Sequence, residues 1–142
     1  MRAFEYPVLL MPAEEGGFVV SCRDLPEVIT QGDDRHDALA QAADAMGEAF
    51  AARIDDGLDF PSPSGSQEGE YLVAPATEMV AKAALYVAIR EAKVSKVELA
   101  RRLGVDEKVV RRLLDPHYHS KLPRLAEAVQ ALGRRLRIEL AA

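Results

Sequence analysis

An α+β chain in two modules is predicted: an N-terminal antiparallel sheet with one covering helix, then an all-α module that carries a helix–turn–helix and closes on a strand. Three observations predict it. Short apolar runs with period-two alternation fill the opening of the sequence, separated by turns rich in Gly and Pro. Helical spacing of apolar residues then takes over, first between Arg35 and Asp56 and again from Thr77 onward. The charge, finally, is divided. Residues 1–75 hold 4 Lys and Arg against 15 Asp and Glu, a net of −11; residues 76–142 hold 14 against 8, a net of +6. Such asymmetry argues for modules with opposite partners, a polyanion for the basic one and a basic protein for the acidic one.

Taken in order, Phe4–Met11 alternates around Phe4, Tyr6, Val8 and Leu10 and reads as a strand. Glu14-Glu15-Gly16-Gly17 supplies a hairpin turn, and Phe18–Cys22 the returning strand. Asp24-Leu25-Pro26 breaks the run before a third strand over Val28–Gln31, which Gly32 stops. Asp33-Asp34 stands where a helix cap belongs, and Leu39, Ala42, Ala43, Met46, Phe50 and Ile54 then mark one face of a helix that ends at Gly57. Residues 59–69, with Pro61, Pro63 and three serines among them, read as a mobile loop or linker. Glu70–Ala74 is a candidate fourth strand, and the module boundary falls near Pro75. Thr77 opens a helix with Val80, Ala84, Leu85, Ala88 and Ile89 at helical spacing.

The second module is organised around Ser95–Leu114. Ser95 and Glu98 form a capping box, Leu99, Ala100 and Leu103 line one face, and Gly104 stands where a left-handed residue ends a helix. Val105, Val110 and Leu113 pack a second helix onto the first, which turns Lys108, Val109, Arg111 and Arg112 outward. In a helix–turn–helix that second helix enters the DNA major groove. Lys108, Arg111 and Arg112 are then the candidates for phosphate or guanine, and Val109 for a thymine methyl. Ser95 and Lys96 at the first helix start, with His119 and Lys121 in the loop after Pro116, complete the predicted DNA-binding set. Asp106 and Glu107 suit the helix N-terminal dipole. A last helix carries Leu122, Leu125, Ala126, Val129 and Leu132 and ends at Gly133. Leu136, Ile138 and Leu140 then alternate with charged residues as a strand that has no partner inside the module. That strand is expected to pair with its copy in a second chain, making a homodimer or higher oligomer.

Other chemistries are not favoured. No run reaches the roughly 18 apolar residues of a membrane helix, and the N-terminus lacks a secretory layout. With Cys22 alone, no internal disulfide forms and a cytoplasmic setting is expected. His117 and His119 lack further ligands for a metal shell. No nucleophile elbow, P-loop or zinc-protease motif is present, so no enzyme activity, metal or cofactor is expected. Two rival readings fit the sequence less well: a one-component regulator whose acidic module senses a small ligand, and a residual nuclease built on the acidic residues, which lie mainly at turns and strand ends.

The order Tyr6-Pro7-Val8, Gly16-Gly17-Phe18, Asp24-Leu25-Pro26 and Ile29-Thr30-Gln31-Gly32-Asp33, then a helix led by Ala38-Leu39, resembles the HicB antitoxins of HicAB toxin–antitoxin systems. The second half is similar to the version of HicB with an Xre/lambda-repressor-like domain. The resemblance implies a partial RNase H-like first domain (1–75) that covers a small basic RNase, HicA, and a second domain (76–142) that dimerises and represses the operon by binding operator DNA. On that resemblance the toxin-binding set is Tyr6, Phe18, Asp24, Leu25, Pro26, Ile29, Thr30 and Gln31. Glu27-Val28 stands where the family pattern usually continues Gly-Cys.

Overall fold

Strands β1 (Tyr6–Pro12), β2 (Phe18–Cys22), β3 (Ile29–Gly32) and β4 (Glu70–Val73) form one antiparallel sheet in the order β3-β2-β1-β4. The structure, a computed structural model, describes residues 3–141. The chain divides into two compact units, the first running to Val80 and the second starting at Ala81.

Pairing register decides which side chains share a face, because residues directly opposite across a ladder point the same way. Val8 faces Cys22 and Tyr6 faces Val73, and all four are buried. Helix α1 (Arg35–Asp55) covers this face with Ala38, Ala42, Met46, Ala49, Phe50 and Ile54, while Leu39 and Ala43 are only half-buried. At one end, Phe50 meets the Phe60 ring edge-on at 5.0 Å and the Tyr6 ring at 5.9 Å, with Phe4 against Phe60 at 6.0 Å. That edge-to-face geometry is the one aromatic quadrupoles favour. Asp34 caps α1 by accepting from the Asp37 N–H at 2.8 Å. Gly32 is forced by space: a Cβ there would lie 2.3 Å from the Ala38 nitrogen, so β3 and α1 approach too closely for a side chain.

Residues 59–69 form a loop, as their composition suggests, and hydrogen bonds tether it to the rest of the unit. The Tyr6 hydroxyl donates to the Pro61 carbonyl at 2.7 Å, and Arg53 donates to the Asp59 carbonyl at 2.7 Å. Arg23 donates to the Gly65 carbonyl at 2.8 Å, and Asp24 accepts from both the Ser64 N–H (2.8 Å) and hydroxyl (2.6 Å). Except for Arg53, partners distant in sequence therefore hold the segment, and Phe60 is buried in the core. Local composition carries no record of such long-range anchors.

Helix α2 (Thr77–Ala92) leads into the second unit, where α3 (Lys96–Leu103), α4 (Glu107–Leu114) and α5 (Leu122–Ala131) follow. Leu85, Leu99, Val110, Leu113, Leu125 and Val129 form its core. The terminal strand expected over Leu136–Leu140 is not formed within the chain. A strand needs a ladder partner, and no strand lies in this unit among the described residues; Ile138 and Leu140 are exposed.

Candidate nucleic-acid interface and protein-docking face

In the second unit, α3 and α4 are joined by a tight turn that their sequence specifies. Ser95 accepts from the Glu98 N–H at 3.0 Å at the start of α3, and Gly104 closes it at φ 68°, donating to the Ala100 and Arg101 carbonyls. The reciprocal half of the capping box is replaced. Glu98 instead receives Arg101 (2.9 and 2.6 Å) and Arg102 (3.0 Å), whose hydrogen bonds pull its carboxyl down to about 2. Asp106 caps α4 by accepting from the Lys108 N–H at 2.8 Å.

With Val110, Leu113 and Leu114 buried, α4 exposes Lys108, Arg111 and Arg112, and Val109 is half-buried between them. Arg111 lies 3.9 Å from Glu107, and the Arg112 guanidinium stacks on the Tyr118 ring at 5.2 Å. Ser95, Lys96, His119 and Lys121 are exposed as well.

Sequence reasoning missed Lys82. It is 1% exposed on α2, yet its ammonium donates to the carbonyls of Arg112 (3.1 Å) and Leu113 (3.0 Å) and to the Ser120 hydroxyl (2.9 Å). A cation thus sits on the carbonyl end of α4, where the helix dipole is negative. One polar residue within an apolar helical stretch was the available signal.

Residues of the predicted toxin-binding set lie at different depths in the first unit. Tyr6 and Leu25 are fully buried. Leu25 anchors a turn, its carbonyl accepting from the Val28 N–H at 2.9 Å. Asp24 is committed to Ser64. Phe18 is half-buried on the α1 side of the sheet, opposite Gly32. Thr30 is half-buried and faces Val20 on that same side. Pro26, Ile29 and Gln31 are exposed.

Among the described residues of the first unit, no helix covers the opposite face of the sheet, and that face carries several apolar side chains. Met11 faces Val19, Val19 faces Gln31, Leu9 faces Ser21, Ser21 faces Ile29 and Pro7 faces Leu72. Ile29 is 70% exposed and Met11 53%, and Val19 and Leu72 are exposed too. Arg23 reaches across β1 to β4, where both Glu70 oxygens accept from it at 2.9 and 3.0 Å. That contact holds the Glu70 carboxyl below its usual range. On the other side of the unit, Glu27 is lowered in the same way by Arg53. Among the described residues, no group of three His, Cys, Asp or Glu side chains forms a metal-ligand cluster, and no helix is long and apolar enough to cross a membrane.

Residues 5–84 match the family model described as the HicB-like antitoxin of bacterial toxin–antitoxin systems. The chain is 39% identical over 140 residues to Antitoxin HicB of Pseudomonas fluorescens (strain Pf0-1), covering 98% of this chain and 95% of the relative. It is 34% identical over 140 residues to Antitoxin HicB 1 of Photorhabdus laumondii, covering 99% and 89%. To Antitoxin HicB of Escherichia coli (strain K12) it is 34% identical over 131 residues, covering 92% and 95%.

Proposed function

The chain belongs to the HicB-like antitoxin family of bacterial toxin–antitoxin systems, and from that membership we propose that its acidic first unit neutralises a HicA-type mRNA interferase while its basic second unit binds operator DNA and represses the toxin–antitoxin operon. One observation carries the reading: charges of −11 and +6 lie in the two halves of the chain, and the chain folds as two units that divide near the same point. A toxin that binds RNA presents positive potential, so an acidic partner competes for the surface the RNA uses. The proposed mechanism is steric and electrostatic occlusion of the toxin's RNA face. The resemblance to a partial RNase H-like domain belongs to this reading.

The DNA half of the proposal treats α3 and α4 as a helix–turn–helix. Lys108, Val109, Arg111 and Arg112 face the groove, and Ser95, Lys96, His119 and Lys121 contact the backbone. The cap, the left-handed Gly104 and the exposed cations on α4 support it. We further propose that Leu136, Ile138 and Leu140 pair with the same segment of a second chain. A dimer so formed spaces two recognition helices about one DNA turn apart. Exposed Ile138 and Leu140, next to a half-buried Leu136, suit such a role.

The test is co-expression of the chain with the small basic protein encoded beside it. Growth rescue and co-purification are expected. A toxic neighbour that the chain neither binds nor silences rejects the proposal. The dimer is checked by sedimentation at micromolar concentration, where a monomer rejects it.

A further inference from the structure

Resting on the reading of the first unit as the toxin-binding one, we propose that the toxin docks on the open face of the sheet. Leu9, Met11, Val19, Ile29 and Leu72 form the apolar centre, and carboxylates form its rim. An antiparallel sheet covered by one helix normally turns polar residues to water on its other side. Here the outward positions of β1 are Pro7, which is buried, Leu9, half-buried, and Met11, exposed, and they continue into exposed Val19 on β2, Ile29 on β3 and Leu72 on β4. Single exposed aliphatic residues need no explanation, but here Met11 and Val19 face each other directly, with Leu9, Ile29 and Leu72 at neighbouring diagonal positions, and a cluster of that kind marks an interaction surface.

The rim selects the occupant. Glu14 and Glu15 lie in the turn just past the Met11–Val19 pair, and both are exposed. Glu5 precedes β1 and is half-buried, and Asp33 follows β3 and is exposed. Glu70 stands on the face itself, but it is ion-paired with Arg23, so the two offer little net charge of either sign to a partner. A second copy of the same face would bring two acidic rims together, which costs energy. A cationic protein with an apolar patch at the centre of its basic surface complements both features. The occupant is therefore the basic toxin, and its centre of contact lies beyond the β3 segment that the sequence motif emphasises.

The experiment uses the full chain co-expressed with the basic protein encoded beside it. The variants are Val19→Glu with Ile29→Glu, and the milder Met11→Ala with Ile29→Ala in case the charged pair disturbs folding. Thermal unfolding and binding to DNA from upstream of the chain's own gene check that each variant is intact. The proposal expects the glutamate pair to lose co-purification and growth rescue and the alanine pair to weaken toxin binding about tenfold or more, with DNA binding unchanged. Folded variants that capture the toxin as the wild type does overturn the face while leaving the function intact. A wild-type chain that neither captures nor rescues overturns the toxin-binding reading and the face with it. Variants that alter the chain's own sedimentation yet keep the toxin show a contact between copies, and that also overturns the proposal.

Discussion

Lys82 illustrates how one residue fixes an element it does not belong to. Its ammonium is buried on α2 and satisfies two terminal carbonyls of α4 together with Ser120 in the following loop. Lys82→Met keeps the bulk and removes the donors, leaving those carbonyls without this partner in a buried place. The expected loss is about 1–3 kcal/mol, read as a lower midpoint in denaturant unfolding. An unchanged midpoint would show that water or a repacked side chain replaces it. Glu98 makes a prediction of a different kind. Its folded value of about 2, against an ordinary 4.5, comes from Arg101 and Arg102. Because the folded value is the lower one, the stabilising contribution is fully present above pH 4.5 and is lost as pH falls toward 2. Replacing both arginines by alanine should return the Glu98 titration, followed by NMR, to the ordinary carboxylate range.

At the scale of elements, the joint between β3 and α1 leaves no room for a side chain at Gly32. Gly32→Ala would drive a methyl into the backbone of Ala38, and the clash is expected to cost about 1–3 kcal/mol in thermal or denaturant unfolding. Most elements were legible because each has a local signal. The alternation of β1, the Gly16-Gly17 turn, the Asp34 cap and Gly104 all act within a few residues of where they stand. What was not legible depended on distant partners. Residues 59–69 are held by Tyr6, Arg23 and Asp24 as well as by the nearby Arg53, and no short window of sequence contains both ends of the first three bonds. Tyr6, Leu25 and Asp24 belong to a motif, and a motif does not say whether a residue touches a partner or holds a turn. Here Tyr6 holds the Pro61 carbonyl, Asp24 holds Ser64, and the Leu25 carbonyl accepts from the Val28 N–H. Leu9, Met11 and Val19 escaped notice for the opposite reason: a strand that is apolar in both phases reads as core from either side.

For the whole molecule, the separation of charge predicts separable losses. Changing Lys108, Arg111 and Arg112 together to alanine removes three exposed cations from α4. If each meets a phosphate, operator affinity should fall, and the slope of log K against log salt should flatten by about 2 to 3. Toxin rescue should be untouched. The measurement is a salt titration of binding to DNA from upstream of the gene, and an unchanged slope would remove these residues from the interface. The same division accounts for how far function could be read at the outset. The sign of charge on each half is a property of the sequence, whereas the face that uses it emerges only after four strands have aligned.

The pinned segment between Leu58 and Gly69 has one more consequence, for how the chain is degraded. Its prolines and serines look like bait for a protease. Yet cutting there means first releasing Ser64, Gly65, Pro61 and Asp59 from anchors spread over β1, α1 and the turn after β2. Cleavage in this stretch should therefore keep pace with the global unfolding of the first unit, not with local fraying.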